Sequence, residues 1–159
     1  MKIFWKTIKW IRNLIIYRIL GMKTRGVRVI LKRRNEIFLV KHPYDNFWVF
    51  PGGGIQKNET AEAAAIREAA EETPYLISEP VVKLGEYKNC SKGKNDTVTI
   101  FVAENFVEHY RKHRLVDEIE IQKSGWFEIT KLPNISVATR KRIIELQHRN
   151  FSAVVRDWN

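Results

Sequence analysis

The stretch from Gly53 to Tyr75, GGIQKNETAEAAAIREAAEETPY, constrains this chain more than any other part of it. Asn58 and Thr60 are helix-start residues. Glu59 and Glu62 sit at the positive end of the expected helix dipole, and strong Ala-rich helix formers follow. Residues three and four apart on a helix are neighbours, so Glu68, Glu71 and Glu72 are expected to project from one face. Carboxylates that close repel each other. A hard divalent cation such as Mg²⁺ or Mn²⁺ offsets the repulsion, because it takes oxygen ligands and shares its shell with water and phosphate oxygens. Arg67 is a nearby counter-charge that the helix is expected to point toward another face. The competing reading is a solvated acidic stripe on a surface helix.

Upstream, the apolar run Phe47-Trp48-Val49-Phe50 leads into Pro51-Gly52-Gly53-Gly54, a strand followed by backbone free to turn and approach a ligand closely. Strand, glycine loop and acidic helix together resemble the Nudix box, G-x5-E-x7-R-E-U-x-E-E-x-G-U with U aliphatic. Gly53, Glu59, Arg67, Glu68, Ala69, Glu71 and Glu72 match at their spacings. Pro74 and Tyr75 depart from it, standing where the family has Gly and an aliphatic residue. Pro74 preserves the helix stop, because proline pushes the preceding Thr73 out of the α region.

The resemblance implies an α/β/α sandwich around a mixed β-sheet, with Glu68, Glu71 and Glu72 as metal ligands. A backbone carbonyl of Gly52 or Gly53 is implied near the metal, and Glu59 and Arg67 as a structural pair orienting the helix. It implies that water attacks phosphorus in a nucleoside diphosphate linked to another group X, with Mg²⁺ as cofactor and Mn²⁺ as an alternative. An acid six residues before Trp126, Glu120, resembles the position of an additional ligand or general base in many family members, and Glu118 is a second candidate there. Lys41 and His42 stand where a cation could meet a phosphate, and Trp48 and Tyr87 are candidates for stacking on a base. Phe106 to Leu115 reads as a polar loop. Two other readings stay open: a non-catalytic nucleotide-binding module, and an RNA 5′-pyrophosphohydrolase.

The 159 residues, 44% hydrophobic, suit one core and are too few for two of ordinary size. Strands are expected at Gly26–Lys32, Glu36–Lys41, Val81–Tyr87 and Thr97–Glu104, with a turn at Arg34-Asn35. A second helix is expected over Ser136–Arg149, with Val137, Ile143, Ile144 and Leu146 as its apolar positions. The single cysteine, Cys90, excludes an intrachain disulfide and a multi-thiolate zinc site, and a reducing compartment is consistent with it. No nucleophile-elbow motif is present, so covalent catalysis has no support.

The net charge of +10 is unevenly placed: residues 1–34 hold eleven of the 28 Lys and Arg and none of the 18 acids. Within 1–20, apolar and basic residues separate imperfectly onto two halves of a helical wheel. This divides the chain into a basic amphipathic helix at 1–22 and a catalytic domain at 23–159. The arm is too interrupted by charge to span a bilayer and has no signal-peptide cleavage site. It either lies at a membrane surface or packs on a protein, and a cytoplasmic location, membrane-associated through the arm in the first case, follows. Candidate partners are therefore a nucleotide or other diphosphate substrate, a peripheral membrane contact, and RNA.

Overall fold

A computed structural model describes residues 24–43, 45–78, 80–89, 96–109, 121 and 123–158. The expected helix at 1–22, together with Cys90, Glu118 and Glu120, lies outside the described residues. Two strands open the domain: β1 (Thr24–Arg33) and β2 (Glu36–Lys41), joined at Arg34-Asn35 with Arg34 in the left-handed region at φ 49°. Helix α1 (Ala61–Glu72) and the short strand β3 (Tyr75–Ile77) follow. The chain continues through β4 (Val82–Asn89), β5 (Asp96–Ala103), β6 (Phe106–Glu108), β7 (Lys123–Glu128), helix α2 (Val137–Gln147) and β8 (Val155–Asp157).

Among the described residues the main sheet has the order β7-β2-β1-β5-β4-β8, and β3 pairs with β6 in a separate two-stranded sheet. The sheet is mixed: β1 runs parallel to β5 from Thr24↔Asp96 to Leu31↔Ala103, β4 runs parallel to β8, and the other pairs are antiparallel. Successive side chains of a strand face opposite ways, so each strand feeds two cores. Val27, Val29, Leu31, Phe38, Val40, Phe101 and Ala103 face α1 and its fully buried Ala64, Ala65 and Ala69. Ile30, Ile37, Leu39, Ile100 and Val102 face α2 through Ile143 and Leu146. One helix on each face of the sheet makes the expected sandwich.

Both described helices begin where their caps predict. Thr60 and Ser136 accept hydrogen bonds from the backbone N–H of Ala63 and Thr139, each at 3.1 Å. Thr73 ends α1 in extended conformation (φ −134°, ψ 161°), as Pro74 requires, and its hydroxyl caps the Ala69 carbonyl at 2.7 Å. Tyr75, the other departure from the box, joins the small sheet to the large one. Its hydroxyl accepts the Trp126 indole N–H at 2.8 Å, and its ring meets Phe38, Phe106 and Trp126 edge-on.

Two expectations need correction here. Phe106–Glu108 is a strand paired with β3, because its backbone groups are needed by Tyr75–Ile77, and residues 110–115 of the expected polar loop lie outside the described residues. On α2 the buried stripe is Ala138, Thr139, Arg142, Ile143 and Leu146, which leaves Val137 and Ile144 on the exposed flank. Arg142 is tolerated at 2% exposure because Glu145 lies 3.1 Å away, the Trp158 carbonyl accepts from it, and its guanidinium stacks 3.9 Å from the Tyr87 ring centre.

A candidate carboxylate site at the glycine loop

β1 and β2 pair only at their hairpin end, Lys32↔Ile37 and Arg33↔Glu36, and separate beyond it. The glycine loop fills the gap. Val40 and Val49 exchange both backbone hydrogen bonds at 2.9 Å, after which the chain crosses to β1. There Val29 N–H donates to the Pro51 carbonyl and Val27 N–H to the Gly53 carbonyl, both at 2.9 Å. The loop therefore behaves as a short strand wedged between two others. Gly52 takes φ +143°, and a Cβ there would stand 2.2 Å from the Val27 carbonyl oxygen. Only glycine fits.

Helix α1 lies against this loop, and its inward stripe explains the carboxylate positions. Ala61, Ala64, Ala65, Glu68, Ala69 and Glu72 recur at spacings of three and four, so the two acids continue the stripe that packs on the sheet. Their side chains are only 12% and 11% exposed, whereas that of Glu71, on the flank, is 50% exposed. The Glu68 carboxylate occupies space that a Gly53 Cβ would take, at 2.7–2.8 Å. Glu72 accepts the Gly52 N–H at 2.8 Å, and its other oxygen lies 4.0 Å from His42 Nε2.

Arg67 reaches these acids, contrary to the expectation that it points elsewhere. Its long side chain folds back over the helix terminus. Nε and Nη2 grip Glu59 at 2.7 and 3.0 Å, Nη1 meets Glu68 at 2.7 Å and Glu71 at 3.4 Å, and Nη2 also donates to the Gly54 carbonyl at 3.0 Å. Glu59 is held further by the Gln56 N–H at 2.9 Å. The electrostatics follow. The Arg67 hydrogen bond holds the Glu59 carboxyl below the usual carboxylate range. Burial pushes Glu68 up, although Arg67 and, more weakly, Arg28 act against it.

The donor set is all oxygen and suits a hard divalent cation. Among the described residues, however, no three His, Cys, Asp or Glu side chains are gathered as a metal-holding group. Arg67 holds Glu68 and Glu71, and the loop backbone holds Glu72. Both expected carbonyl ligands also have donors already: Val27 N–H at Gly53, and the Arg28 guanidinium at Gly52. Arg28 is the residue that sequence reasoning missed.

The expected substrate contacts fare differently. Tyr87 is a correction: it is fully buried on the α2 face, where its hydroxyl donates to Glu145 at 2.6 Å, so its ring cannot stack on a base. Trp48 is half-buried on the same side, edge-on to Phe127 with ring centres 4.8 Å apart. Lys41 ends β2 on the face of Ile37 and Leu39. No described helix is long and apolar enough to cross a membrane.

Comparison with known proteins agrees with this architecture. The model of the NUDIX domain matches residues 22–147. An ADP-ribose pyrophosphatase of Methanocaldococcus jannaschii is 28% identical over 137 residues, covering 83% of this chain and 78% of that protein. An RNA pyrophosphohydrolase of Hydrogenovibrio crunogenus is 30% identical over 99 residues, covering 62% of this chain and 53% of that one. The crystal structure of a MutT NUDIX hydrolase from Burkholderia pseudomallei superposes with a TM-score of 0.67 at 24% identity, covering 79% of this chain and 98% of the other. With the box on α1 and the sandwich around a mixed sheet in place, the chain belongs to the Nudix family of hydrolases.

Proposed function

We propose that this hydrolase is a Mg²⁺-dependent pyrophosphohydrolase that cleaves a diphosphate bond in a nucleoside diphosphate linked to another group, with Glu68, Glu71 and Glu72 as its metal-binding carboxylates. The observation that carries the reading is the pair Glu68 and Glu72, nearly buried one helical turn apart and seated on glycine-loop backbone. Burying two acids side by side is unfavourable unless positive charge meets them. Arg67 meets Glu68 and His42 Nε2 stands 4.0 Å from Glu72; a divalent cation would add to these, and divalent-metal dependence is general in the family. When bound, the cation would lower the pKa of a water molecule and neutralise charge developing on phosphate oxygens.

The protein's own groups supply the rest. In the reaction a water oxygen forms a bond to phosphorus, the bridging P–O bond breaks, and a base takes the water proton. Glu68 and Glu120 are the candidate acceptors. Arg67 keeps Glu68 aligned through its grip on Glu59. The ADP-ribose pyrophosphatase and the RNA pyrophosphohydrolase both carry a pyrophosphate-cleaving name on different molecules, which supports the bond and leaves the attached group open. Concentration of basic charge in residues 1–34 favours RNA as the second reading.

The test is a screen of nucleoside di- and triphosphates, nucleotide sugars, dinucleoside polyphosphates and 5′-triphosphorylated RNA with Mg²⁺ or Mn²⁺, with products resolved to show which bond breaks. Cleavage of one class at its diphosphate supports the reading. Turnover of RNA alone, falling steeply with salt, would select the second reading, and no turnover of any would remove both.

A further inference from the structure

Every carbonyl from Phe50 to Gly54 has a donor, and two arginines supply three of the five. Arg67 reaches Gly54 from the helix. Arg28, in the middle of β1, reaches in from the strand, and its Nη1 donates to the Gly52 carbonyl and, at 3.4 Å, to that of Phe50. The carbonyls between are taken by the backbone N–H groups of Val27 and Val29, the residues on either side of Arg28. Among the described residues Arg28 has no carboxylate within ion-pair distance. A half-buried guanidinium between the buried Val27 and Val29, spent on backbone carbonyls, is costly to desolvate unless those bonds hold something in place.

What they hold is the Gly52 residue, gripped through the peptide groups on both sides of its Cα. Its carbonyl faces Arg28, and its N–H donates to Glu72 at 2.8 Å. Its φ of +143° is a conformation open to glycine and not to residues with a Cβ. We propose that Arg28 is a positioning residue for the carboxylate site, acting through Gly52 to aim a backbone N–H at Glu72 and so fix that carboxylate for metal binding. The Gly52 carbonyl is the socket of this latch. The inference rests on the reading of Glu72 as a metal-binding carboxylate. Partners that orient a metal-binding group without touching the ion typically change affinity by about 10–100-fold.

The experiment measures Mn²⁺ binding by electron paramagnetic resonance on the full chain, with folding followed by circular dichroism. Arg28→Ala is expected to fold and to bind Mn²⁺ about tenfold more weakly or worse. Millimolar guanidinium is expected to restore binding to Arg28→Ala and not to Glu72→Gln, a rescue that general loosening of the fold would not give. A folded Arg28→Ala with wild-type Mn²⁺ affinity overturns the proposal. So does a weakened one that guanidinium does not rescue. If Arg28→Ala does not fold, Arg28→Met decides: it keeps an apolar stem between Val27 and Val29 and removes the donor that Nη1 gives to the Phe50 and Gly52 carbonyls, so weaker binding is expected and unchanged affinity overturns the inference. Glu72→Gln separates the two layers. If it binds Mn²⁺ normally, the site assignment itself fails; if it loses Mn²⁺ while Arg28→Ala does not, only the latch fails.

Discussion

Three adjacent glycines should respond to the same substitution in three different ways. In Gly52→Ala the new Cβ would stand 2.2 Å from the Val27 carbonyl oxygen and 2.8 Å from the Arg28 Cα, both backbone atoms that no rotamer change can move. The residue would also keep φ near +143°, a strain of about 1–3 kcal/mol. Relief means shifting the loop away from β1, which breaks the Arg28 bond to the Gly52 carbonyl and the Gly52 N–H bond to Glu72. Charged hydrogen bonds contribute about 1.5–3 kcal/mol each. The combined loss is therefore about 4–9 kcal/mol, a large part of the stability of an ordinary domain. At about 2–4 °C per kcal/mol for a domain of this size, the melting temperature should fall by at least about 8 °C.

Gly54→Ala is the control, since its Cβ would meet nothing within 4 Å, and it should stay within about 0.5 kcal/mol of wild type. Gly53→Ala should separate stability from function. Its Cβ collides with the Glu68 carboxylate, which can swing aside, so the fold survives while the carboxylate leaves its seat and Mn²⁺ binding weakens. Thermal melts followed by circular dichroism, with Mn²⁺ titration of each folded variant, make the comparison. Gly52→Ala melting beside Gly54→Ala, or Gly53→Ala binding Mn²⁺ like wild type, would refute this account of the loop.

Acidification should expose the Glu59–Arg67 pair. The folded Glu59 carboxyl titrates below its unfolded value, so its contribution is complete above the ordinary value of about 4.3 and disappears as pH falls through the lower folded one. Melts of wild type and Glu59→Gln should differ at about pH 6 and converge as the pH falls below the ordinary carboxylate value; a gap that widens on acidification contradicts the pairing. Tyr87→Phe loses the hydroxyl shared with Glu145 and Arg156, at a cost of about 1.5–3 kcal/mol or roughly 3–12 °C, with turnover per folded molecule unchanged. A fall in turnover with unchanged melting would return Tyr87 to the substrate site.

The residues show why some of this was legible in the sequence. β1, β2, β4 and β5 are long enough for β-branched and aromatic residues to mark them, and the Thr60 and Ser136 caps announce both helices. β3, β6 and β8 are three residues each, too short for any periodicity, and β7 (KSGWFE) is an edge strand with charge at both ends and a glycine inside. The box revealed the three acids, but the question of which face inward is answered by the Ala61-Ala64-Ala65 stripe, which Glu68 and Glu72 continue and Glu71 does not. Arg67 misled because side-chain length defeats a helical wheel. Arg28 carries one visible signal, a charge within the strand GVRVIL, but its partner is a backbone carbonyl and leaves no trace in residue identity.

On the proposed function, Glu72 and its neighbours hold the cation on which diphosphate cleavage depends. The most direct test is turnover of the substrate found by the screen, measured for wild type and for a Glu72→Gln variant of confirmed fold, in EDTA and across a Mg²⁺ titration. Wild-type turnover should be absent in EDTA and saturate with Mg²⁺. Glu72→Gln should lose at least about 100-fold at any Mg²⁺ concentration, the scale at which losing one preorganised electrostatic contact is felt. Wild-type turnover that persists in EDTA, or a Glu72→Gln enzyme as active as the parent, would contradict it.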